Sequence, residues 1–192
     1  MNSEIKSILS WYEGGNPSLP PDHYCPTRDV FQSRLESLYR RLVKSGEDVK
    51  ATALIISCLG EIGNNAFDHN LGQWQDLPGL AFFHDDQRRV VVIADRGQGV
   101  RQSLSRSGIQ RANESEYLKT AFNEVVSGRS PERRGNGLKL VKSVVSTQNW
   151  KLLCCNNGAC FQIGRDSSAP EFIEVRKKSN QGVICLLDWG KQ

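Results

Sequence analysis

The sequence predicts an α/β protein of the α+β kind: a two-layer sandwich with a mixed, mostly antiparallel sheet and helices on one face. Three observations predict it. Two long helical periodicities come before any strand. The β-rich runs then fall into a hairpin and a later meander. Strands and helices do not alternate as a repeating βαβ sheet would require. At 192 residues, with 38% hydrophobic content, the chain suits one globular domain with an arm.

Residues 1–28 read as an irregular N-terminal arm, because Gly14, Gly15, Pro17, Pro20, Pro21 and Pro26 interrupt any regular element. Residues 29–44 carry Phe31, Leu35, Leu38 and Leu42 at helical spacing, with Asp29 as the expected N-cap. Residues 47–70 hold the strongest helical pattern, with Ile55, Ile56, Leu59, Ile62, Ala66 and Phe67 on one side. Residues 80–84 and 89–94 are β-rich and joined by Asp85-Asp86-Gln87, which predicts a hairpin. Residues 96–135 are polar and loop-like, with a helix expected near 115–126. A further helix is expected over 138–147. Strands are expected over 150–155, 159–163 and 183–188, the first two joined by the tight-turn pair Asn157-Gly158, and a short strand over 171–176. This divides the chain into an arm and helix over 1–46 and a main domain over 47–192.

Composition narrows the function. The charged fraction is 24%, the net charge +4 and the mean hydropathy -0.47. Such a mild basic excess suits a phosphate ligand or an acidic partner and does not argue for nucleic acid. No apolar run reaches the roughly 20 residues of a membrane helix, and the N-terminus lacks signal-peptide features, so a cytoplasmic protein without a membrane partner is expected. The six cysteines form no CxxC pair, which predicts reduced, mostly buried thiols rather than a zinc site.

Three segments carry chemistry. In the long helix, Glu61, Asn65 and Asp68 share a stripe roughly 60° wide, opposite the apolar side. An amide and a carboxylate one turn apart suit magnesium, which wants hard oxygen ligands and keeps several waters. The Asn65 carbonyl oxygen can be one ligand, and Glu61 can hold a metal-bound water or orient the water that attacks a γ-phosphate. In the second segment, an apolar strand ends at Asp95 and is followed by Gly97 and Gly99. The carboxylate can accept from an exocyclic amine, and the glycines allow a sharp turn and a close backbone approach. In the third, Gly135, Asn136, Gly137 and Leu138 open a helix, so that backbone N–H groups and the positive helix end face an anion, with Arg129, Arg133, Arg134 and Lys139 nearby.

Taken in this order, ExxxNAxDH, DxGxG and GxGL resemble the N, G1 and G2 boxes of the GHKL ATPase superfamily, the histidine kinase-like proteins. The resemblance spans residues 47–188. It implies a Bergerat fold that binds ATP and magnesium under a mobile lid over about 100–134. It further implies that Glu61 is the general base and Asn65 the magnesium ligand, and that Asp68 occupies the second acidic position. Asp95 would hold the adenine amine, Gly97 and Gly99 would flank the base, and Gly135, Asn136, Gly137 and Leu138 would lie by the phosphates. Arg133 stands where many members have the first G2 glycine. With no histidine in a phosphoacceptor pattern, the chain looks closest to stand-alone anti-sigma-factor serine kinases.

Two readings follow from the resemblance: an ATPase or protein kinase that works through a regulatory protein partner, or a non-catalytic module whose partner binding depends on the nucleotide. A third class, an S-adenosylmethionine-dependent methyltransferase, shares the strand and glycine turn of residues 91–99 but needs alternating βα units. Residues 1–46 could cover their own domain, swap into a homodimer, or dock a partner.

Overall fold

The computed structural model describes residues 2–14, 18–70, 72–124, 136–165 and 170–190. Its first element corrects the expectation of an irregular arm. Helix α1 (Ser3–Tyr12) starts at Asn2, whose side chain accepts from Glu4 N at 2.8 Å. Its buried residues Ile5, Ile8, Leu9 and Tyr12 follow a 3–4 spacing. After a short 3₁₀ turn (Pro21–His23) comes strand β1 (Tyr24–Cys25). Helix α2 (Arg28–Lys44) follows, capped by Thr27 Oγ1 rather than by Asp29.

Helix α3 (Val49–Asn70) is the long helix expected from periodicity, and the Asp48 carboxylate accepts from Ala51 N at its start. It packs closely on α2 at Gly63, where a Cβ would fall 2.2 Å from the Phe31 ring. The hairpin β2 (Leu80–Asp85) and β3 (Val90–Asp95) forms as predicted. Residues expected to be loop instead make helix α4 (Gly99–Arg106), whose polar sequence buries only Gly99 and Leu104. Helix α5 (Glu114–Asn123), with Asn113 as N-cap, agrees with the helix expected near 115–126. The expected lid from residue 125 onward, with Arg129, Arg133 and Arg134, lies outside the described residues, as does Gly135.

Helix α6 (Gly137–Thr147) leads to the meander of β4 (Lys151–Asn156) and β5 (Ala159–Gly164). Residues expected as a short strand form helix α7 (Pro170–Arg176), before β6 (Val183–Asp188).

The six strands make one sheet in the order β1-β2-β3-β6-β4-β5, and every pairing among the described residues is antiparallel. The parallel sheet required by the methyltransferase reading does not form. The sheet carries helices on both faces, not one. On the first face, Leu80, Phe82, Val91, Ile93, Leu152 and Leu187 meet apolar residues of α2, α3, α5 and α6. On the second, Ala81, Phe83, Val92, Leu153 and Leu186 meet Trp11 and Tyr12 of α1 and Phe172 and Val175 of α7. Strand β3 is buried at all six positions because each face has its own layer.

The cysteines depart from the expectation of reduced thiols. Cys155 and Cys160, directly opposed on β4 and β5, are joined by a disulfide, while Cys25, Cys58, Cys154 and Cys185 are buried thiols. No helix among the described residues is long and apolar enough to cross a membrane.

Candidate functional site

A cavity of about 740 Å³ opens between the helical layer and the first face of the sheet. The polar side of α3 forms one wall. Its apolar side is held in the core by Ile55, Leu59, Ile62 and Ala66, so Glu61, Asn65, Asp68 and His69 face the opening. Helix α4 and the N-terminus of α6 face them, and β3, β4 and β6 close the floor with Asp95, Cys154, Val183 and Cys185.

Asp95 is the most constrained of the predicted residues. It ends β3 and is 5% exposed. Its Oδ1 accepts from Gly97 N at 2.9 Å and from Asn70 Nδ2 at 3.2 Å. Burial pushes its carboxyl up to about 6, and the hydrogen bonds from Gly97, Val183 and Asn70 offset this only in part.

Asn70, which sequence reasoning did not single out, ties two motifs together. From the last turn of α3 it donates to Asp95 and accepts from Gln98 N at 2.9 Å. Gly97 exists to admit it: a Cβ there would fall 1.9 Å from Asn70 Nδ2. Gly97 does not itself line the cavity, whereas Gly99 does. Gly99 sits at φ +79°, and its missing Cβ leaves room for Gln181 O and for Asn156. Asn156 in turn accepts from Val100 N and donates to Gly182 O, which anchors α4 to the end of β4.

Behind the sheet, α1 supports the same corner. Tyr12 Oη donates to Gly182 O at 2.9 Å, and Gly182 packs so tightly on Asp95 O that a Cβ would lie 2.0 Å away.

Glu61 and Gly137 meet across the cavity mouth. A Cβ on Gly137 would fall 2.1 Å from Glu61 Oε2, so the carboxylate rests against the first turn of α6. The N-cap residue Asn136 makes no side-chain capping bond among the described residues, and Asn136, Gly137 and Leu138 all line the cavity. A negative group already occupies the positive helix end. Asn65 is half-buried and lines the same wall.

Asp68 is engaged by Arg28 of α2, whose guanidinium also lies 5.9 Å from the centre of the Phe67 ring. His69 Nδ1 lies 2.9 Å from Ser103 Oγ of α4. Arg28, Asn70, Ser103 and Asn156 were not legible as site residues. Arg28, Asn70 and Ser103 reach the cavity, and Asn156 anchors α4 without lining it, through tertiary packing with no local motif to mark them. Among the described residues, no three His, Cys, Asp or Glu side chains form a metal-binding group.

No protein-family model, curated protein or solved structure matches the chain.

Proposed function

We propose that this chain binds ATP with magnesium in the cavity between α3, α6 and the sheet, as a histidine kinase-like ATPase domain of the GHKL type that hydrolyses ATP or transfers its γ-phosphoryl group to a protein partner. The observation that carries the reading is the buried Asp95 carboxylate on the floor of a cavity whose mouth brings Glu61 to the N-terminus of α6. A buried carboxylate is a strong acceptor for an amine. Asn70 and Gly97 N fix its orientation.

The first turn of α6, with Gly137 presenting backbone without a Cβ, suits phosphate oxygens. The Glu61 carboxylate is then displaced from the helix end and turned toward a water, which it can orient and deprotonate. Magnesium is commonly held by one or two protein oxygens plus phosphates. Asn65 Oδ1 would be its protein ligand, and the ion would neutralise charge on the phosphates.

Calorimetric titration with a non-hydrolysable ATP analogue and magnesium tests the pocket. Asp95→Ala should lose about 1.5–3 kcal/mol of binding, the worth of a hydrogen bond to a charged group. Unchanged affinity in a folded Asp95→Ala protein would refute the assignment. Glu61→Ala should bind the analogue nearly as well as the parent and turn over no ATP. Binding without turnover in the parent protein would identify a nucleotide-gated binding module instead.

A further inference from the structure

We propose that Cys154 and Cys185 form an oxidisable dithiol on the cavity floor, a modification site that a hydroperoxide converts to a cross-strand disulfide. The two residues are directly opposed in the register of β4 and β6. Their side chains share the first face of the sheet, and both line the cavity beside Asp95. The Cys185 thiol points at Cys154, with Sγ to Sγ at 2.8 Å. A disulfide bond is about 2.05 Å long, so bonding asks the two sulfurs to approach by less than an ångström.

The other four cysteines have no such arrangement. Cys25 and Cys58 are buried, unpaired and away from the cavity, and Cys155 and Cys160 are already bonded on β4 and β5. Cys154 and Cys185 are therefore the thiols that a small solute in the cavity meets.

The chemistry balances with one peroxide. A thiol gives up its proton, and the thiolate attacks one peroxide oxygen. The O–O bond breaks, and the leaving hydroxide takes a proton to become water. The sulfenic acid that remains is displaced by the second thiol, which forms the S–S bond and releases the hydroxyl as a second water. Two sulfurs are oxidised and two oxygens reduced. The hydrogen bond to Cys154 and burial both hold the proton on Cys185, which makes the pair slower to react than an exposed thiolate.

The dithiol itself does not depend on the nucleotide reading, but its protection by nucleotide does. A base seated on Asp95 would cover the sulfurs, so magnesium and an ATP analogue at about ten times the dissociation constant should slow oxidation about tenfold.

The test uses the full chain, reduced with a phosphine, treated with hydrogen peroxide in native buffer, alkylated, and digested with trypsin without reduction. The expected product joins the peptide of residues 152–165 to that of residues 179–191, while Cys25 and Cys58 remain open to alkylation. The joined pair should disappear in Cys154→Ser and Cys154→Ala and persist in the double variant Cys155→Ser, Cys160→Ser. A joined pair that is absent from the folded protein, forms only after denaturation, or survives loss of Cys154 overturns the proposal. A joined pair that forms at the same rate with nucleotide present upholds the dithiol and counts against the nucleotide pocket.

Discussion

Replacing Asp95 by asparagine should stabilise the protein at neutral pH and not at acid pH. The carboxyl stands at about 6 in the fold against 3.8 in its ordinary state, because burial disfavours the charged form. The folded protein therefore binds a proton more tightly than the unfolded chain. Stability falls as pH rises from about 4 through 6, and above that the cost stays constant at about 3 kcal/mol. Asparagine keeps the oxygen that accepts from Gly97 N and Asn70 Nδ2 and removes the charge. Its new NH₂ replaces the second oxygen in the buried site at a cost of about 1–2 kcal/mol. The expected net gain at pH 7.5 is about 1–2 kcal/mol, or about 3–6 °C in melting temperature for a chain of this size. At pH 4.5 the gain should vanish or reverse. Paired melts of parent and variant at the two pH values cancel the other titrating groups. A variant equally destabilised at both would show that the carboxylate is a structural necessity and not a strained functional group.

The remaining expectations are narrower. Analogue binding by the parent should weaken about tenfold per pH unit below about 6, as Asp95 gains its proton, and should stay level in Asp95→Asn; calorimetry across pH 5–8 reads this. Gly97→Ala should cost about 1–3 kcal/mol in urea unfolding, because the new Cβ collides with buried Asn70. Gly63→Ala gains about 1 kcal/mol of helix propensity and meets the Phe31 ring, so a net loss is expected by the same assay; a stabilised variant would show that the α2–α3 contact relaxes freely. Tyr12→Phe leaves Gly182 O without that donor and should cost about 1 kcal/mol, with a measurable drop in analogue affinity though Tyr12 does not line the cavity.

The parts of the molecule that could be read from the sequence are those in which local pattern and tertiary role coincide. Helix α3 declares its two sides through apolar spacing, and the same spacing puts Glu61 and Asn65 on the open side. The motif residues Asp95, Gly99 and Gly137 line one cavity. Helix α1 was hidden by the glycines and prolines after it, although Ile5, Ile8, Leu9 and Tyr12 already carried helical spacing. The second helical layer also left a trace. Strands β3 and β4 lack polar alternation and are buried at every position, which a sheet with one wet face would not tolerate. Asn70 and Arg28 left none, because an asparagine at a helix end and an arginine at a helix start are ordinary solvent residues until a distant segment meets them.

The roles of Gly97 and Gly182 show why a glycine motif is only half of an argument. Both could be assigned to backbone turns alone, yet each leaves room for a specific neighbour: Asn70 in one case and the Asp95 carbonyl in the other. Asp95 is thus held from three directions, by α3 through Asn70, by its own turn through Gly97, and by α1 through Tyr12 and Gly182. A buried carboxylate with a raised proton affinity does not stabilise the fold, since asparagine would keep the oxygen that accepts from Gly97 N and Asn70 Nδ2 without the charge. The support makes sense if the carboxylate's position, rather than its energy, is what the surrounding residues preserve.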